Sequence, residues 1–362
     1  MWEHEPGASY PALRGNATAD LCVIGLGGTG LACIQEALLA GCSVVGLDAA
    51  TTGGGAAGRN GGLLRAGLSI FHHEARKLLG ASRAARLIQL TAGERERLLR
   101  ELPGLAHRCG YTRLAADDGE IRDCRAHFDA LREDGIVSEW VDGDHGTGMR
   151  VPDDAAIDPL ARCRAEAATC ARAGAVLHER SPVTRVTPGE VETPDGRVRS
   201  RATIVAVDGG LVAVLPELAD RVRPARLQML AAAEGPEWLP AAGSTRWGWD
   251  YWQRLADGSV AFGGCRDAGG DAEWTSDPEA SDVVQAALTE RVAVFTGRAP
   301  VVTHRWAATA SFTADALPIL EEVRPRVWAV GAYSGTGNLL GPVCGRAAVR
   351  LASGMTTESP LA

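Results

Sequence analysis

Three glycines near the start of the chain have the spacing of a dinucleotide-binding turn, Gly25-x-Gly27-x-x-Gly30. An apolar run over residues 21–24 precedes them and predicts a buried parallel strand, and apolar residues return at helical spacing after Gly30. In such a turn the first glycine permits the tight bend, the second lets the backbone approach a pyrophosphate, and the third lets helix and strand pack closely. The pattern therefore predicts a phosphate site at the start of a helix.

An acidic residue stands where a dinucleotide-binding unit holds the ribose. A second predicted strand, residues 43–47, ends at Asp48, roughly 20 residues after the glycines. A carboxylate at this place accepts hydrogen bonds from ribose hydroxyls. Strand, helix and acid together favour a bound dinucleotide over a glycine-rich turn without ligand, and they leave NAD and FAD both open.

The segment after the second strand, residues 51–62, distinguishes an FAD-binding protein from an NAD-binding one. It reads TTGGGAAGRNGG, and a nicotinamide-binding unit has no need of this small-residue stretch. It resembles the loop by which the superfamily of D-amino acid oxidase, glycine oxidase and sarcosine oxidase wraps FAD. Its GRNGG string is most similar to the branch that contains gamma-glutamylputrescine oxidase. An irregular glycine-rich loop is the alternative for the string taken alone.

Later segments resemble the same superfamily in the same order. Residues 249–254, followed by residues 256–264, predict two antiparallel strands joined by an Asp-Gly turn, similar to the hairpin that lies above the flavin. Residues 306–319 resemble the W-A-G and T-x-D-x-x-P element, and the glycine-rich loop 331–338 precedes a predicted helix. The resemblance therefore spans nearly the whole chain.

The resemblance implies noncovalently bound FAD and a set of contact residues. Sarcosine oxidases attach FAD through a cysteine near the position of Ala308, and alanine has no nucleophile. The implied FAD contacts lie in the glycine turn, after the second strand, in the GRNGG loop, on a returning strand and in the C-terminal loop: Gly25, Gly27, Gly28, Thr29, Gly30, Asp48, Ala49, Gly58, Arg59, Asn60, Gly61, Gly62, Leu63, Val183, Gly331, Ser334, Gly335, Thr336, Gly337 and Asn338.

The implied reaction is oxidation of a C–N bond in an amine or amino acid, with hydride transfer to flavin N5 and hydrolysis of the imine. Arg65 follows the flavin-wrapping loop, in a place similar to the arginine that grips the substrate carboxylate in monomeric sarcosine oxidase. A guanidinium suits that role through its bidentate fork. Tyr251 and Arg254 on the hairpin are further candidates. The alternatives are an ion pair for Arg65 and sheet packing for Tyr251. No catalytic base is predicted, because the amine need only lose its proton first.

Oxygen is the expected electron acceptor, with hydrogen peroxide as product. The lysine that sarcosine oxidases place over flavin N5 maps near Ala261, and the single lysine of this chain is Lys77. The alternative is therefore a dehydrogenase or biosynthetic desaturase of the same fold that uses another acceptor. The intact glycine turn and C-terminal loop argue against a flavin-binding scaffold without catalysis, and the GRNGG loop argues against a nicotinamide dehydrogenase.

Composition excludes several classes of partner. The chain has 362 residues, of which 46% are hydrophobic and 23% charged, as in an ordinary globular protein. The net charge of -8 argues against nucleic acid or an anionic membrane surface. No uncharged apolar run approaches the length of about 18 residues that spans a membrane. Nine cysteines without a C-x-x-C pair, behind a polar N-terminus, predict a cytoplasmic protein.

The order of predicted elements indicates an α/β plus β protein with two domains. The expected Rossmann-like FAD-binding domain is discontinuous and covers residues 17–101, 145–225 and 300–362. A smaller substrate domain, built on an antiparallel sheet, covers 102–144 and 226–299, and residues 1–16 form an N-terminal arm. Residues 72–101 read as helical throughout.

Overall fold

The computed structural model describes residues 1–2 and 7–361, so residues 3–6 of the predicted arm lie outside the described residues. The strands are β1 Gly15–Ile24, β2 Val44–Leu47, β3 Leu63–Leu64, β4 Ala106–Arg108, β5 Tyr111–Leu114, β6 Glu139–Gly143, β7 Gly146–Val151, β8 Ala155–Ile157, β9 Val176–His178, β10 Arg185–Thr187, β11 Glu190–Thr193, β12 Gly196–Val205, β13 Arg223–Ala232, β14 Ala242–Thr245, β15 Asp250–Arg254, β16 Val260–Gly263, β17 Val302–Phe312, β18 Ile319–Arg324 and β19 Val327–Gly331. The helices are α1 Gly28–Leu39, α2 Ala56–Arg59, α3 His72–Leu79, α4 Ala81–Glu101, α5 Asp118–Glu133, α6 Pro159–Arg172, α7 Leu211–Val214, α8 Arg266–Gly269, α9 Asp282–Thr296 and α10 Gly337–Ala352.

One compact unit, the parallel-sheet unit, comprises Trp2–Arg59, Asp158–Ala225 and Thr309–Ala362. Its central strands run parallel in the order β9-β2-β1-β12-β19, and the antiparallel strands β10, β11 and β18 extend the sheet. Helix α1 packs against α6 and α10. A Cβ at Gly345 of α10 would lie 2.6 Å from the carbonyl oxygen of Thr29, so α10 lies very close to the backbone of α1.

The sequence predicts the start of α6 from the pair Asp158-Pro159, an acidic cap followed by a proline, and the structure shows it. The carboxylate of Asp158 accepts hydrogen bonds from the amides of Leu160 at 3.0 Å and Ala161 at 2.9 Å, and Pro159 occupies the first turn, where its missing N–H is not needed.

The other compact unit, the mixed-sheet unit, comprises Met1, Asn60–Ile157 and Arg226–Ala308. Its large sheet has the order β17-β13-β16-β15-β14-β5-β7-β6, in which β14 and β5 are parallel. A second sheet joins β3, β8 and β4. One core packs β15 and β16 against α9, with Trp252, Phe262 and Leu288 essentially inaccessible to solvent.

The α/β plus β class is therefore as predicted, while the unit boundaries differ from the predicted domain ranges. Residues 60–101, 145–157 and 300–308 belong to the mixed-sheet unit. These residues belong to the mixed-sheet unit because they contact elements that are far away in the sequence: β3 pairs with β8, and α3 packs on α5. The helical stretch 72–101 is divided because Gly80 has a φ of 80° and separates α3 from α4.

None of the helices in the described part of the chain has the length and apolar character needed to cross a bilayer.

Candidate functional site

The predicted glycine turn joins β1 to α1, and its geometry demands glycine. Gly25 has a φ of 105°, and a Cβ there would lie 2.4 Å from the carbonyl oxygen of Ala206. A Cβ at Gly30 would lie 1.8 Å from the carbonyl oxygen of Gly25. A Cβ at Gly25 or Gly30 would overlap with these backbone atoms, so the turn and the start of α1 can form only with glycine at both positions.

Asp48 at the end of β2 supports the glycine turn. Its two carboxylate oxygens accept hydrogen bonds from the amides of Leu26 at 2.8 Å and Ala50 at 2.9 Å. Burial raises the pKa of this carboxyl group. The neighbouring Ala49 is exposed. The ribose contact of Asp48 stays a prediction, and its support of the turn is a second role that the sequence did not indicate.

Val183 lies near this carboxyl-end region of the sheet. It packs, partly buried, against the core of the parallel-sheet unit, and two residues before it the amide of Ser181 donates to the carbonyl oxygen of Asp48 at 2.8 Å. Its predicted contact with the adenine side of FAD is compatible with this place and stays a prediction.

The C-terminal loop, residues 331–338, covers the end of β19, the connection after it and the start of α10, and it contains six of the predicted contacts: Gly331, Ser334, Gly335, Thr336, Gly337 and Asn338. Its backbone is tightly turned, because Ser334 has a φ of 51° and Gly335 of 93°. The loop is tied to β17, since the Ser334 amide donates to the carbonyl oxygen of Ser311 at 3.0 Å.

Asp208 anchors this loop and was missed in the sequence. Its carboxylate accepts hydrogen bonds from the amides of Ala332 at 2.8 Å and Ser311 at 3.3 Å. Burial raises its pKa to about 6, although the backbone donors oppose the shift. An acid soon after the buried end of β12 was the available signal.

The GRNGG string ends α2 and leads into β3. Gly58 is buried and Arg59 closes the helix. The Asn60 side chain accepts a hydrogen bond from the Gly62 amide at 2.8 Å, and the Gly62 carbonyl accepts one from the Ile157 amide at 2.8 Å. These bonds fix the turn.

The structure brings Tyr251 to this loop. A Cβ on Gly61 would lie 3.3 Å from the Tyr251 ring, so the ring lies directly against the loop backbone. Leu63, the next predicted contact, pairs with Ala156 in the small sheet. Tyr251 and the GRNGG loop are therefore neighbours, a contact that the sequence did not indicate.

Tyr251 belongs to a row of cross-strand neighbours that share one face of the large sheet. The register pairs Arg113 with Ser244 and Ser244 with Tyr251, and paired residues point to the same side. Gln253, two residues beyond Tyr251, lies on this side as well. We call these four residues the polar sheet face.

Three side chains of the polar sheet face carry a buried polar atom that has no hydrogen-bond partner among the described residues. They are Nη1 of Arg113, Oγ of Ser244 and Oε1 of Gln253. The Gln253 oxygen would lie 2.4 Å from a Cβ on Gly62, so it is next to the loop. Buried polar groups almost always have partners, and a cluster of three without any indicates a face built to meet a ligand.

Arg254 is not part of this face. Alternation along β15 places it on the side of Trp252, and its Cδ lies 3.7 Å from the position that a Cβ of Gly235 would take. The structure therefore separates Arg254 from Tyr251, because strand register, which the sequence left open, decides the side. Trp247 and Trp249 are 41% and 42% exposed outside strand β15, so they do not join the core.

Arg65 follows β3 and lines a small cavity within the mixed-sheet unit. Tyr111, Arg113, His127 and Asp154 line the same cavity. Burial, and next the charge of Arg113, lower the pKa of Arg65. The ion-pair alternative for Arg65 finds no carboxylate within 4 Å among the described residues. Arg113 and His127 were missed because residues 102–150 have a weak pattern and only folding brings them to Arg65.

Comparison with known proteins identifies the family. A family model described as "DAO: FAD dependent oxidoreductase" matches residues 20–351. The chain belongs to this family.

Relatives agree with that assignment. "Probable oxidoreductase OrdL" of Rhizobium meliloti (strain 1021) is 27% identical over 97% of this chain and 87% of its own length. "Gamma-glutamylputrescine oxidoreductase" of Escherichia coli (strain K12) is 27% identical over 96% of this chain and 86% of its own. The crystal structure of glycine oxidase from Geobacillus kaustophilus has a TM-score of 0.76 at 20% identity, over 94% of this chain and 96% of that one. The predicted superfamily and fold class are thereby confirmed.

A DAO-family enzyme must hold the pyrophosphate of FAD, and the parallel-sheet unit has groups that fit it. Helix α1 begins at the glycine turn with no side-chain cap, which leaves its N-terminal dipole for an anion. Arg162 is 2% exposed and its Nη1 donates to the Asn338 carbonyl at 2.8 Å, while its buried Nη2 has no partner in the described part of the chain. A Cβ on Gly28 would lie 3.2 Å from that Nη2. Thr29 donates to the Tyr333 hydroxyl at 2.9 Å.

Proposed function

We propose that this DAO-family protein oxidises the C–N bond of an amine or amino acid and holds its FAD noncovalently. The observation that carries the proposal is the polar sheet face, which has three buried polar atoms without a partner among the described residues and whose Tyr251 ring and Gln253 Oε1 lie beside the GRNGG loop. The relative named gamma-glutamylputrescine oxidoreductase supports the substrate class. When bound, FAD supplies the hydride acceptor at N5, and the imine product is hydrolysed by water.

The glycine turn, Asp48 and the C-terminal loop would hold FAD in this proposal. Arg162 would meet the pyrophosphate with its unpartnered Nη2. Ala308 is buried and carries no thiol, which supports noncovalent attachment.

The side chains near the loop would bind and orient the substrate. Arg65 grips a carboxylate through its guanidinium. Burial raises the pKa of the Tyr251 phenol, so Tyr251 keeps its proton and acts as a hydrogen-bond donor rather than as a base. Gln253 offers an acceptor beside Gly62. We assign no catalytic base. The amine of the substrate loses its proton to water before the hydride is transferred, so no side chain has to remove it.

Oxygen is the proposed acceptor, with hydrogen peroxide as product. One observation favours the alternative, a dehydrogenase or desaturase with another acceptor. Ala261 pairs with Gln253 on the polar sheet face and is fully buried, so this position offers no cation. The single lysine, Lys77, is 71% exposed on α3.

The protein's compartment is proposed to be the reducing cytoplasm. All nine cysteines are free thiols, and seven of them are buried.

The test is anaerobic visible absorbance of the purified protein during additions of amino acids, N-methyl amino acids and polyamines. We expect one class to bleach the oxidised flavin band, and air to restore it with peroxide release. Slow recovery in air would favour the alternative acceptor. A protein without a flavin band after reconstitution with FAD would contradict the proposal.

Two arginine variants sharpen the test. Arg65→Gln should weaken substrate binding about 10- to 100-fold, because a charge-assisted hydrogen bond contributes about 1.5–3 kcal/mol. Arg254→Gln, on the opposite side of the sheet, should leave the binding within about threefold of wild type. Equal effects of the two variants would remove Arg65 from the site.

A further inference from the structure

Residues 9–13 of the N-terminal arm lie along residues 178–181, a segment at the end of strand β9 that we call the β9 end. Two hydrogen bonds join the arm to it, from the Leu13 amide to Oγ of Ser181 at 2.8 Å and from Nη2 of Arg180 to the Tyr10 carbonyl at 2.9 Å. The arm is therefore fixed beside an outer strand of the parallel-sheet unit.

The β9 end is also bonded to the residues that follow β2. The amide of Asp48 donates to the His178 carbonyl at 2.9 Å, and the amide of Arg180 donates to the Ala50 carbonyl at 2.8 Å. Asp48 is the residue predicted to hold the ribose of FAD, and residues 51–62 resemble the loop that wraps FAD. The β9 end therefore links the arm to the predicted cofactor contacts.

Glu179 of the β9 end receives donors from both neighbouring segments, and it is only 2% exposed. Its Oε1 accepts a hydrogen bond from the Thr52 amide at 2.8 Å. Its Oε2 accepts from the Tyr10 amide at 3.3 Å and from the Ser9 hydroxyl at 3.5 Å. Nη1 of the adjacent Arg180 also donates to Oε2 at 3.3 Å. One oxygen thus serves residues 51–62, and the other serves the arm.

A buried carboxylate fixes the groups that donate to it, because each lost hydrogen bond leaves buried charge unsatisfied. Glu179 is also close to the predicted ribose acid. Burial raises the pKa of Asp48, and the charge of Glu179 raises it further. A displacement of Glu179 would therefore reach the predicted cofactor contacts by two routes, through Thr52 and through the surroundings of Asp48.

We propose that Glu179 is a positioning residue for FAD and that the N-terminal arm is part of the cofactor site. Glu179 fixes Thr52, and with it the start of residues 51–62, relative to Asp48, and this arrangement would receive the adenosine half of FAD. The arm supplies the donors that the second oxygen of Glu179 needs. The inference rests on the FAD site of the proposed function and requires no particular substrate.

The test measures the affinity of the full-length, FAD-free protein for FAD, by quenching of flavin fluorescence, and for ADP, by calorimetric titration. ADP carries the ribose and pyrophosphate without the flavin. Glu179→Gln places an amide NH₂ group among N–H donors, so we expect it to weaken the binding of both ligands about tenfold. Glu358→Gln makes the same chemical change at an exposed position of the same unit and should bind both as wild type does.

Thermal unfolding of the FAD-free variants separates positioning from a purely structural role. A structural role would lower the unfolding temperature of Glu179→Gln and leave the affinity of the folded protein for ADP unchanged. That result would overturn the inference. A loss of ADP affinity in a protein that is folded at the temperature of the titration would support it.

Two variants of Tyr10 test the arm. Pro11 keeps Tyr10 in an extended conformation that proline also adopts, so Tyr10→Pro removes the amide donor to Glu179 together with the ring. Tyr10→Ala removes the ring alone. We expect ADP to bind Tyr10→Pro about three- to tenfold more weakly than Tyr10→Ala. Equal affinities would overturn the part of the inference that concerns the arm. Should Glu179→Gln not fold, this pair still decides, because it leaves the carboxylate in place.

Failure of the proposed function looks different. In that case no amine of any class bleaches the flavin, while the FAD and ADP titrations, which need no substrate, still give their answer. Unchanged ADP affinity in Glu179→Gln, with bleaching by an amine, leaves the proposed function in place and removes Glu179 from the cofactor site.

Discussion

The glycine turn of the parallel-sheet unit and the polar sheet face of the mixed-sheet unit offer different groups to a ligand: the first offers backbone groups and the second offers side chains. In the turn, side chains are absent: Gly25 and Gly30 leave no space for a Cβ, and backbone groups are presented. On the polar sheet face a ligand would meet side chains, and three of these have buried polar atoms without hydrogen-bond partners among the described residues. A site made of backbone is readable from residue types, whereas a site made of side chains depends on which strands become neighbours.

Buried polar groups of the two units also differ in how they are satisfied. Asp208 in the parallel-sheet unit accepts two backbone hydrogen bonds, and Ser311 donates its hydroxyl to the Asp208 carbonyl at 2.9 Å. The buried hydroxyl of Ser244 on the polar sheet face has no hydrogen-bond partner among the described residues. The buried acid that anchors the C-terminal loop is thus satisfied within its own unit, whereas the polar sheet face has buried polar atoms that a ligand could satisfy.

The largest expected effect breaks the backbone site. Gly30→Ala puts a Cβ 1.8 Å from the Gly25 carbonyl oxygen, so we expect about 4 kcal/mol or more of lost stability and no retained FAD. Thermal unfolding and the flavin band measure this. Gly143→Ala, where nothing lies within 4 Å of the added Cβ and which is outside both the glycine turn and residues 51–62, is the control and should behave as wild type. FAD retention by a stable Gly30→Ala protein would show that the turn is not rigid.

A smaller effect tests the buried acid that anchors the C-terminal loop. The pKa of Asp208 is raised to about 6 in the folded state, from a reference value of 3.8. Its contribution to stability is therefore present below about pH 4 and is lost as pH rises towards 6. The shift corresponds to about 3 kcal/mol. The wild-type protein loses this stability between pH 4 and 7 and the Asp208→Asn variant does not. The free energy of unfolding of Asp208→Asn minus that of wild type should thus increase by about this amount over that range.

Denaturant unfolding at several pH values measures the difference. Asp220→Asn, which alters an exposed carboxylate of the same unit, is the control and should follow wild type throughout. A constant difference between Asp208→Asn and wild type would mean that Asp208 does not titrate in this window.

The smallest effect sharpens the contrast between satisfied and unsatisfied hydroxyls. Ser244→Ala removes a buried oxygen without a partner, so the stability of the FAD-free protein should stay equal or rise by up to about 1 kcal/mol. Ser311→Ala removes a bonded hydroxyl and should lower stability by about 1 kcal/mol. Equilibrium unfolding of both variants gives the comparison. A loss of stability in Ser244→Ala equal to that in Ser311→Ala would show that Ser244 already has a partner.

Much of the parallel-sheet unit could be predicted from the sequence because its signals are local. The glycine spacing, the acid after β2 and the Asp158-Pro159 helix start each act within a few residues, and the observed turn and helix match them. Gly80 shows the limit of the same reasoning, since the apolar pattern of 72–101 continues across it while its positive φ ends one helix and starts another.

The amino-acid sequence by itself determined the family and the glycine turn, because residue types and their order are sufficient for these. Only the tertiary structure decided that Arg254 lies away from Tyr251 and that Arg113, Ser244 and Gln253 share its face. A one-residue change of register would exchange the two sides of a strand. The pairing of β5 with β14 joins segments more than a hundred residues apart, and no local pattern specifies that choice.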